Sequence, residues 1–255
     1  MQQLTVIKVG GKIVEDPDSL TAFLKDLTLI AGFKILVHGG GRSATALAEK
    51  LGIETKMVEG RRITDAEMLK VVTMVYAGLV NKNIVAQLQK LQIDAVGLTG
   101  ADMNLIRSNK RPVKEIDYGF AGDIKNINAP ALLELLKQNY LPVIAPITHN
   151  GKGTLLNTNA DTIAGEIAKA LAFDYNVRLI YCFEKSGVLL DENDEKSLIP
   201  ILDHELFRQY KSEGNIHSGM IPKLENAFQA IAAGVKEVII TRASDVKTGK
   251  GTLLR

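Results

Sequence analysis

An α/β architecture, a mainly parallel sheet with helices on both faces, is what this sequence predicts, and three features carry the prediction. Short β-branched runs ("LTVIKV", "FKILV", "LPVIAPI", "VRLIYCF", "EVIIT") alternate with longer stretches of helical periodicity. The runs are apolar on both faces, which suits strands buried between two helical layers rather than a sheet with one wet side. The composition agrees: 255 residues, 46% hydrophobic and 24% charged, can build a substantial core and lack the polar bias of disordered chains.

The elements follow in order. The first strand carries Lys8 tightly flanked by Val6, Ile7 and Val9 and ends in Gly10, Gly11 and Lys12, so a fully solvated lysine is not expected there. A capped amphipathic stretch from Asp16 to Ile30 precedes "FKILV", and a helix then opens near Arg42 and closes at Gly52. "TKMVEGRRIT" and "IRSNKRPVKEIDYGFAGDIKNI" break the rhythm with hairpin-like alternation and are expected over one end of the sheet. A long helix is predicted from Thr64 to Leu91, with Thr64 as N-cap and Glu67 completing a capping box. Its apolar side, including Leu69, Val72, Val75, Tyr76 and Leu79, is broad enough to meet both a core and a partner subunit. Beyond "LPVIAPI" come a helix from Asn159 to Leu171, a hairpin "SGVLLDENDEKSLIP", and helices around 203–213 and 218–233. The best boundary between two lobes of one sheet falls near Asn150 to Lys152, giving lobes 1–150 and 151–255.

Several classes of function are excluded. Lys and Arg number 31 against 29 Asp and Glu, so no basic surface for coating nucleic acid is indicated. Trp is absent and aromatics are sparse, which removes the stacking platforms of a single-strand binder. No uninterrupted apolar run of roughly 20 residues spans a membrane. The N-terminus shows no secretory pattern, and the one cysteine, Cys182, fits a reducing cytoplasm as a small buried hydrophobe.

The glycine clusters point to anion binding. "KILVHGGGRSATALAEKL" reads as a strand, three glycines and a helix, an arrangement that aims backbone N–H groups and a helix N-terminus at an anion. Gly39-x-Gly41-x-x-Ala44 also fits a loose dinucleotide fingerprint with Glu59 as its acid, but Glu59 lies in hairpin-like sequence rather than at the end of a second parallel strand. The phosphate loop G-x-x-x-x-G-K-[ST] and the protein-kinase motifs are absent. "KVGGK" offers a second set of amides beside Lys8. "LLNTNADTIAGEIA" presents Asn157, Asn159 and Asp161 at a helix mouth, and "SGMIPKLENAF" presents Lys223. Taken singly, Asn159 is a plain N-cap, Asp161 a first-turn acid and Lys223 a solvated charge. His38 suits a backbone-positioning role; His149, His204 and His217 are scattered without partners at metal-ligand spacing, so no structural metal is expected.

Together, K-x-G-G, H-G-G-G, G-x-R-x-T, N-x-N-A-D and G-M-x-x-K, in this order over nearly the whole chain, resemble the N-acetylglutamate kinases of the amino acid kinase family. The resemblance implies a three-layer α/β/α sandwich, the carbamate kinase-like fold, with the acylated amino acid in the N-terminal lobe and ATP with Mg²⁺ in the C-terminal one. It implies phosphoryl transfer to a side-chain carboxylate, giving an acyl phosphate in arginine biosynthesis. Lys8 and Lys223 match the two lysines at the transferring phosphoryl group, and Asp161 the acid that orients them. Gly10, Gly11, Gly40 and Gly41 match glycines that hold phosphate oxygens and substrate. Arg62 is similar to the arginine that clamps the α-carboxylate, and Asn157 to the asparagine that bonds the substrate. Where the family shows a turn like T-D-V-x-G-V, this chain has "YCFEKSGVL", so Glu184, Lys185 and Gly187 stand as the implied nucleotide contacts. Such chemistry needs charge neutralisation and alignment rather than a general base, because the acceptor carboxylate, pKa about 4.3, is already ionised. Acetyl and bulkier acyl groups such as succinyl stay open, as do other amino acid acceptors. Arginine-inhibited hexamers of the family carry an extra N-terminal helix; with few residues before the first strand, a cytoplasmic homodimer through the helix near Thr64, insensitive to arginine, is expected.

Overall fold

The computed structural model of the chain describes residues 1–58, 60–191, 193–216 and 220–255. Glu59, Glu192, His217, Ser218 and Gly219, all drawn on above, lie outside the described residues. The strands are β1 (Gln3–Val9), β2 (Phe33–His38), β3 (Met57–Val58), β4 (Arg61–Arg62), β5 (Ala95–Leu98), β6 (Ile106–Lys110) and β7 (Gly122–Ile127). They continue with β8 (Leu141–Ile144), β9 (Ile147–His149), β10 (Leu155–Asn157), β11 (Asn176–Phe183), β12 (Ile201–Leu202), β13 (Glu237–Arg242) and β14 (Thr252–Leu254). The main sheet has the order β12-β14-β13-β11-β1-β2-β8-β5. It is parallel from β13 to β5, and β14 joins β13 antiparallel.

Helices cover both faces, as buried-on-both-sides strands require. One face carries α1 (Gly11–Glu15), α2 (Pro17–Thr28), α3 (Gly41–Lys50), α4 (Ala66–Val72) and α5 (Asn81–Lys90). The other carries α6 (Ala129–Lys137), α7 (Ala160–Leu171), α8 (His204–Ser212) and α9 (Ile221–Ala232). The period of two along a strand sorts the side chains. In β1, Ile7 and Val9 join the first core, whereas Leu4 and Val6 join the second. Lys8 therefore shares the α7 and α9 side with Leu4 and Val6.

The expected hairpins form a four-stranded sheet, β10-β9-β6-β7, and a two-stranded ribbon, β3-β4. One sequence-based expectation is corrected. The long helix begins at Ala66, not Thr64: the Asp65 carboxylate accepts the Met68 N–H at 2.8 Å and is the cap. An acid there adds charge complementarity to the helix dipole, which a threonine cannot. That helix runs unbroken from Ala66 to Lys90, with π winding over Thr73–Val80. By length and composition it could cross a membrane, yet its buried face packs on the core of this fold. The "SGVLLDENDEKSLIP" stretch turns back on itself as expected: the Leu190 and Ile199 amides donate to the Ser197 and Val188 carbonyls on either side of the antiparallel bridge Leu189 to Leu198, with a 3₁₀ turn at Glu195–Ser197.

Candidate active site

The two glycine turns interlock at the C-terminal ends of β1 and β2. A Cβ on Gly39 would lie 3.0 Å from the Gly11 nitrogen, and one on Gly11 would lie 3.4 Å from the nitrogens of Gly40 and Gly41. Glycine lets the two backbones approach this closely without either giving way. His38, fully buried, fixes the turn: its Nδ1 donates to the Gly39 carbonyl at 2.7 Å, and Asn81 Nδ2 donates to its Nε2 at 3.1 Å. These partners set the neutral tautomer, and burial pushes the imidazole down to about 4. The backbone-positioning role expected of His38 is the one observed.

Beside these turns lies the charged centre. Lys8 Nζ meets Asp161 Oδ1 at 2.8 Å, and both residues are buried. Asp161 sits in the first turn of α7, whose start is capped by Asn159 accepting from the Asp161 and Thr162 amides. Tyr181, in register with Lys8 across β11, donates its hydroxyl to the Asp161 carbonyl at 3.2 Å. Lys223 comes from the first turn of α9 and is half-buried. Its amine is lowered, first by desolvation and then by Lys8, against the raising effect of Asp161. Both lysine ammoniums lie over the Phe183 ring, Lys8 at 4.8 Å and Lys223 at 3.9 Å from its centre.

A cleft of two cavities, sharing Gly41, Met57 and Arg62, opens onto this centre. Gly40, Tyr76 and Asn157 line the first; Gly10, Gly11, Glu184, Lys185, Gly187 and Lys223 line the second. The residues that the family resemblance assigns to catalysis, substrate and nucleotide thus line the cleft or, like Lys8 and Asp161, adjoin it. Arg62 is buried and ties the glycine turn down, donating to the Gly41 carbonyl at 2.8 Å and Thr45 Oγ1 at 2.9 Å. Thr64, freed from capping, accepts from Asn157 Nδ2 at 2.9 Å. Glu184 pairs with Lys12 at 2.5 Å and reaches Arg42 at 3.6 Å, joining the end of β11 to both glycine turns. Lys185 faces Glu195 at 4.0 Å. Gly187 answers a packing need, since a Cβ there would lie 2.9 Å from the Thr252 backbone nitrogen.

Phe183, Tyr76, Thr45, Lys12 and Arg42 were not picked out as functional residues from sequence. The signal for Phe183 was present: it stands two positions beyond Tyr181 on the strand face that Lys8 shares. The dinucleotide reading finds no support, because β3 and β4 form a ribbon of their own instead of a second parallel strand.

Cations gathered at interlocked glycine turns, at the carboxyl ends of a parallel sheet, define an α/β phosphotransferase. The amino acid kinase family profile matches residues 3–242, and the chain belongs to that family. An acetylglutamate kinase of Parabacteroides distasonis is 65% identical over 252 residues, 99% of each chain. A solved Streptococcus mutans protein superposes with TM-score 0.81 at 28% identity over 98% of each chain. Giardia lamblia carbamate kinase bound to AMP-PNP superposes with TM-score 0.70 at 14% identity, covering 99% of this chain and 98% of that one, and shares the fold. The three-layer sandwich implied by the sequence motifs is the fold observed.

Proposed function

We propose that this chain transfers the γ-phosphoryl group of ATP to the side-chain carboxylate of N-acetyl-L-glutamate, the acetylglutamate kinase reaction of arginine biosynthesis. The observation that carries the reading is the junction of two cavities at Gly41 and Arg62, with the Lys8–Asp161 pair and Lys223 beside it. The 65% identity to an acetylglutamate kinase supports the choice of acceptor.

In this reading the acceptor occupies the cavity of Gly40, Arg62 and Asn157, and the nucleotide the cavity of Gly10, Gly11, Glu184, Lys185 and Gly187. Residues 1–150 supply most of the former, while the latter takes Phe183, Glu184, Lys185, Gly187, Met220 and Lys223 from 151–255 and the rest of its lining from 1–150. Bond making and breaking on phosphorus gathers negative charge between two anions, so the residues act by neutralisation and alignment. Lys8 and Lys223 stabilise the oxygens in flight, Asp161 orients Lys8, and the glycine amides hold phosphate oxygens. Mg²⁺ carried by the nucleotide would neutralise charge on its phosphates, and Glu49 and Glu184 are the carboxylates that line this cavity. Partnership as a homodimer through the Ala66–Lys90 helix and a place in the cytoplasm complete the reading.

Hydroxylamine traps an acyl phosphate as a hydroxamate and tests the proposal directly. With MgATP, hydroxamate is expected from N-acetyl-L-glutamate and not from free L-glutamate or L-aspartate. A stronger signal from N-succinyl-L-glutamate would reassign the acceptor, and no signal from any of them would overturn the reading. Lys8→Ala and Lys223→Ala should reduce turnover more than substrate binding.

A further inference from the structure

We infer that Phe183 is a positioning residue for phosphoryl transfer: its ring holds the ammonium groups of Lys8 and Lys223 together as one preformed cationic unit. The inference rests on the kinase reading above. Lys8 has a carboxylate partner, Asp161 at 2.8 Å. Among the described residues, no carboxylate lies within 4 Å of Lys223 Nζ, yet the amine sits only 3.9 Å from the Phe183 ring centre. Two like charges held this near each other repel; Asp161 attracts both but contacts Lys8, whereas the Phe183 face is in contact with both ammoniums.

The strand geometry delivers that group. Lys8 is in register with Tyr181, and the period of two puts Phe183 on the same face, toward α7 and α9. Tyr181 and Phe183 stack with centres 6.2 Å apart and planes 11° apart. Tyr181 in turn is anchored to the Asp161 carbonyl. The stack therefore fixes the acid with one ring and the lysines with the next.

An aromatic ring suits the task better than a second acid would. Its face attracts cations through the quadrupole without cancelling their charge. A carboxylate in its place would compete with the phosphate oxygens for Lys223. The apolar ring also helps dehydrate Lys223, in keeping with its lowered amine.

The test uses the full chain, with wild-type turnover read first in the hydroxamate assay. Phe183 is then replaced by mono-, di- and trifluorophenylalanine, nearly isosteric rings of falling quadrupole, and by Leu and Tyr. The expected result is a kcat that drops stepwise with fluorine count, to roughly a tenth for the trifluoro ring, with both KM values within about twofold. Phe183→Leu should fall as far and Phe183→Tyr should recover most of the loss. A flat fluorine series in an active enzyme, or a change confined to KM, would overturn the inference while leaving the kinase reading intact. A silent wild type would overturn both. Should Phe183→Leu fail to fold, the fluorinated series still decides.

Discussion

Lys8 sits inside a strand because Asp161 compensates it there, and each would be an uncompensated buried charge without the other. Lys8→Met should therefore cost about 3 kcal/mol of stability as well as turnover, and adding Asp161→Asn should restore much of the stability but none of the turnover. Urea unfolding beside the hydroxamate assay separates the two effects. Lys223 leads to a pH prediction. Its amine lies below the ordinary 10.5, so the alkaline limb of kcat should begin at lower pH than an unperturbed lysine would give. Lys223→Arg, which stays charged, should move that limb upward whatever its effect on the rate. His38 acts on stability instead. The unfolded chain takes up a proton near pH 6.5, whereas the buried imidazole resists it to about pH 4. The unfolded state thus binds more protons within that window, and stability falls as pH drops through it, by about 3 kcal/mol over the full span. His38→Asn should be less stable at pH 7 but lose correspondingly less between pH 7 and 4.5. Lys8 and the glycines were legible because a charge inside an apolar run and consecutive glycines both break local rules. Asn81 was not, since its partners, His38 and the Val143 carbonyl, are remote in sequence.

At the level of elements, strands and most helices were legible from periodicity, and the miss at the start of the long helix has a local cause: side chains that can bond the backbone in more than one way. Thr64 and Asp65 are both competent caps, and only tertiary contact with Asn157 assigns them different tasks. The two tasks should separate by mutation. Asp65→Ala should cost about 1 kcal/mol of stability with the acceptor KM unchanged, whereas Thr64→Val should raise that KM severalfold by releasing Asn157. Steady-state kinetics with thermal unfolding reads both, and a KM shift in Asp65→Ala alone would reverse the assignment. Between residues 186 and 200 the apolar alternation suggested a hairpin. The chain does turn back there, with Leu190 donating to Ser197 and Ile199 to Val188, and at its tip the Ser197 hydroxyl accepts from the Asp191 amide and donates to the Asp191 carbonyl while Asp194 accepts from the Lys196 amide. The interlocking of two glycine turns was legible only as two separate anion sites. Their mutual approach depends on β1 and β2 being neighbours, which topology alone decides.

Across the whole molecule, the expected lobe boundary near residue 150 is no break in the sheet: β1 and β11 pair along their full length at its centre, so the lobes share one hydrogen-bonded scaffold. The proposed homodimer would form through the Ala66–Lys90 helix. In an α-helix, i→i+4 bonding keeps residues four apart on one face; the i→i+5 bonding over Thr73–Val80 does the same for residues five apart. Met74 and Leu79, exposed at 53% and 58%, are spaced by five, while Val75 and Val80, also spaced by five, are buried. The π winding thus turns one pair into the core and leaves the other as an outward apolar stripe, which α winding would splay apart. A stripe of this kind suits the same stripe on a second copy, because a two-fold interface must be self-complementary. Loops beside the helix would have to add area to reach the roughly 800 Å² per partner of a stable interface. Light scattering should give twice the 27.7 kDa chain mass for the wild type. The double substitution Met74→Glu and Leu79→Glu, at positions exposed in the single chain, should return the chain mass with the fold retained. A wild type already at chain mass would refute the stripe as an interface, and a particle near six chains that responds to arginine would show further contacts beyond this helix.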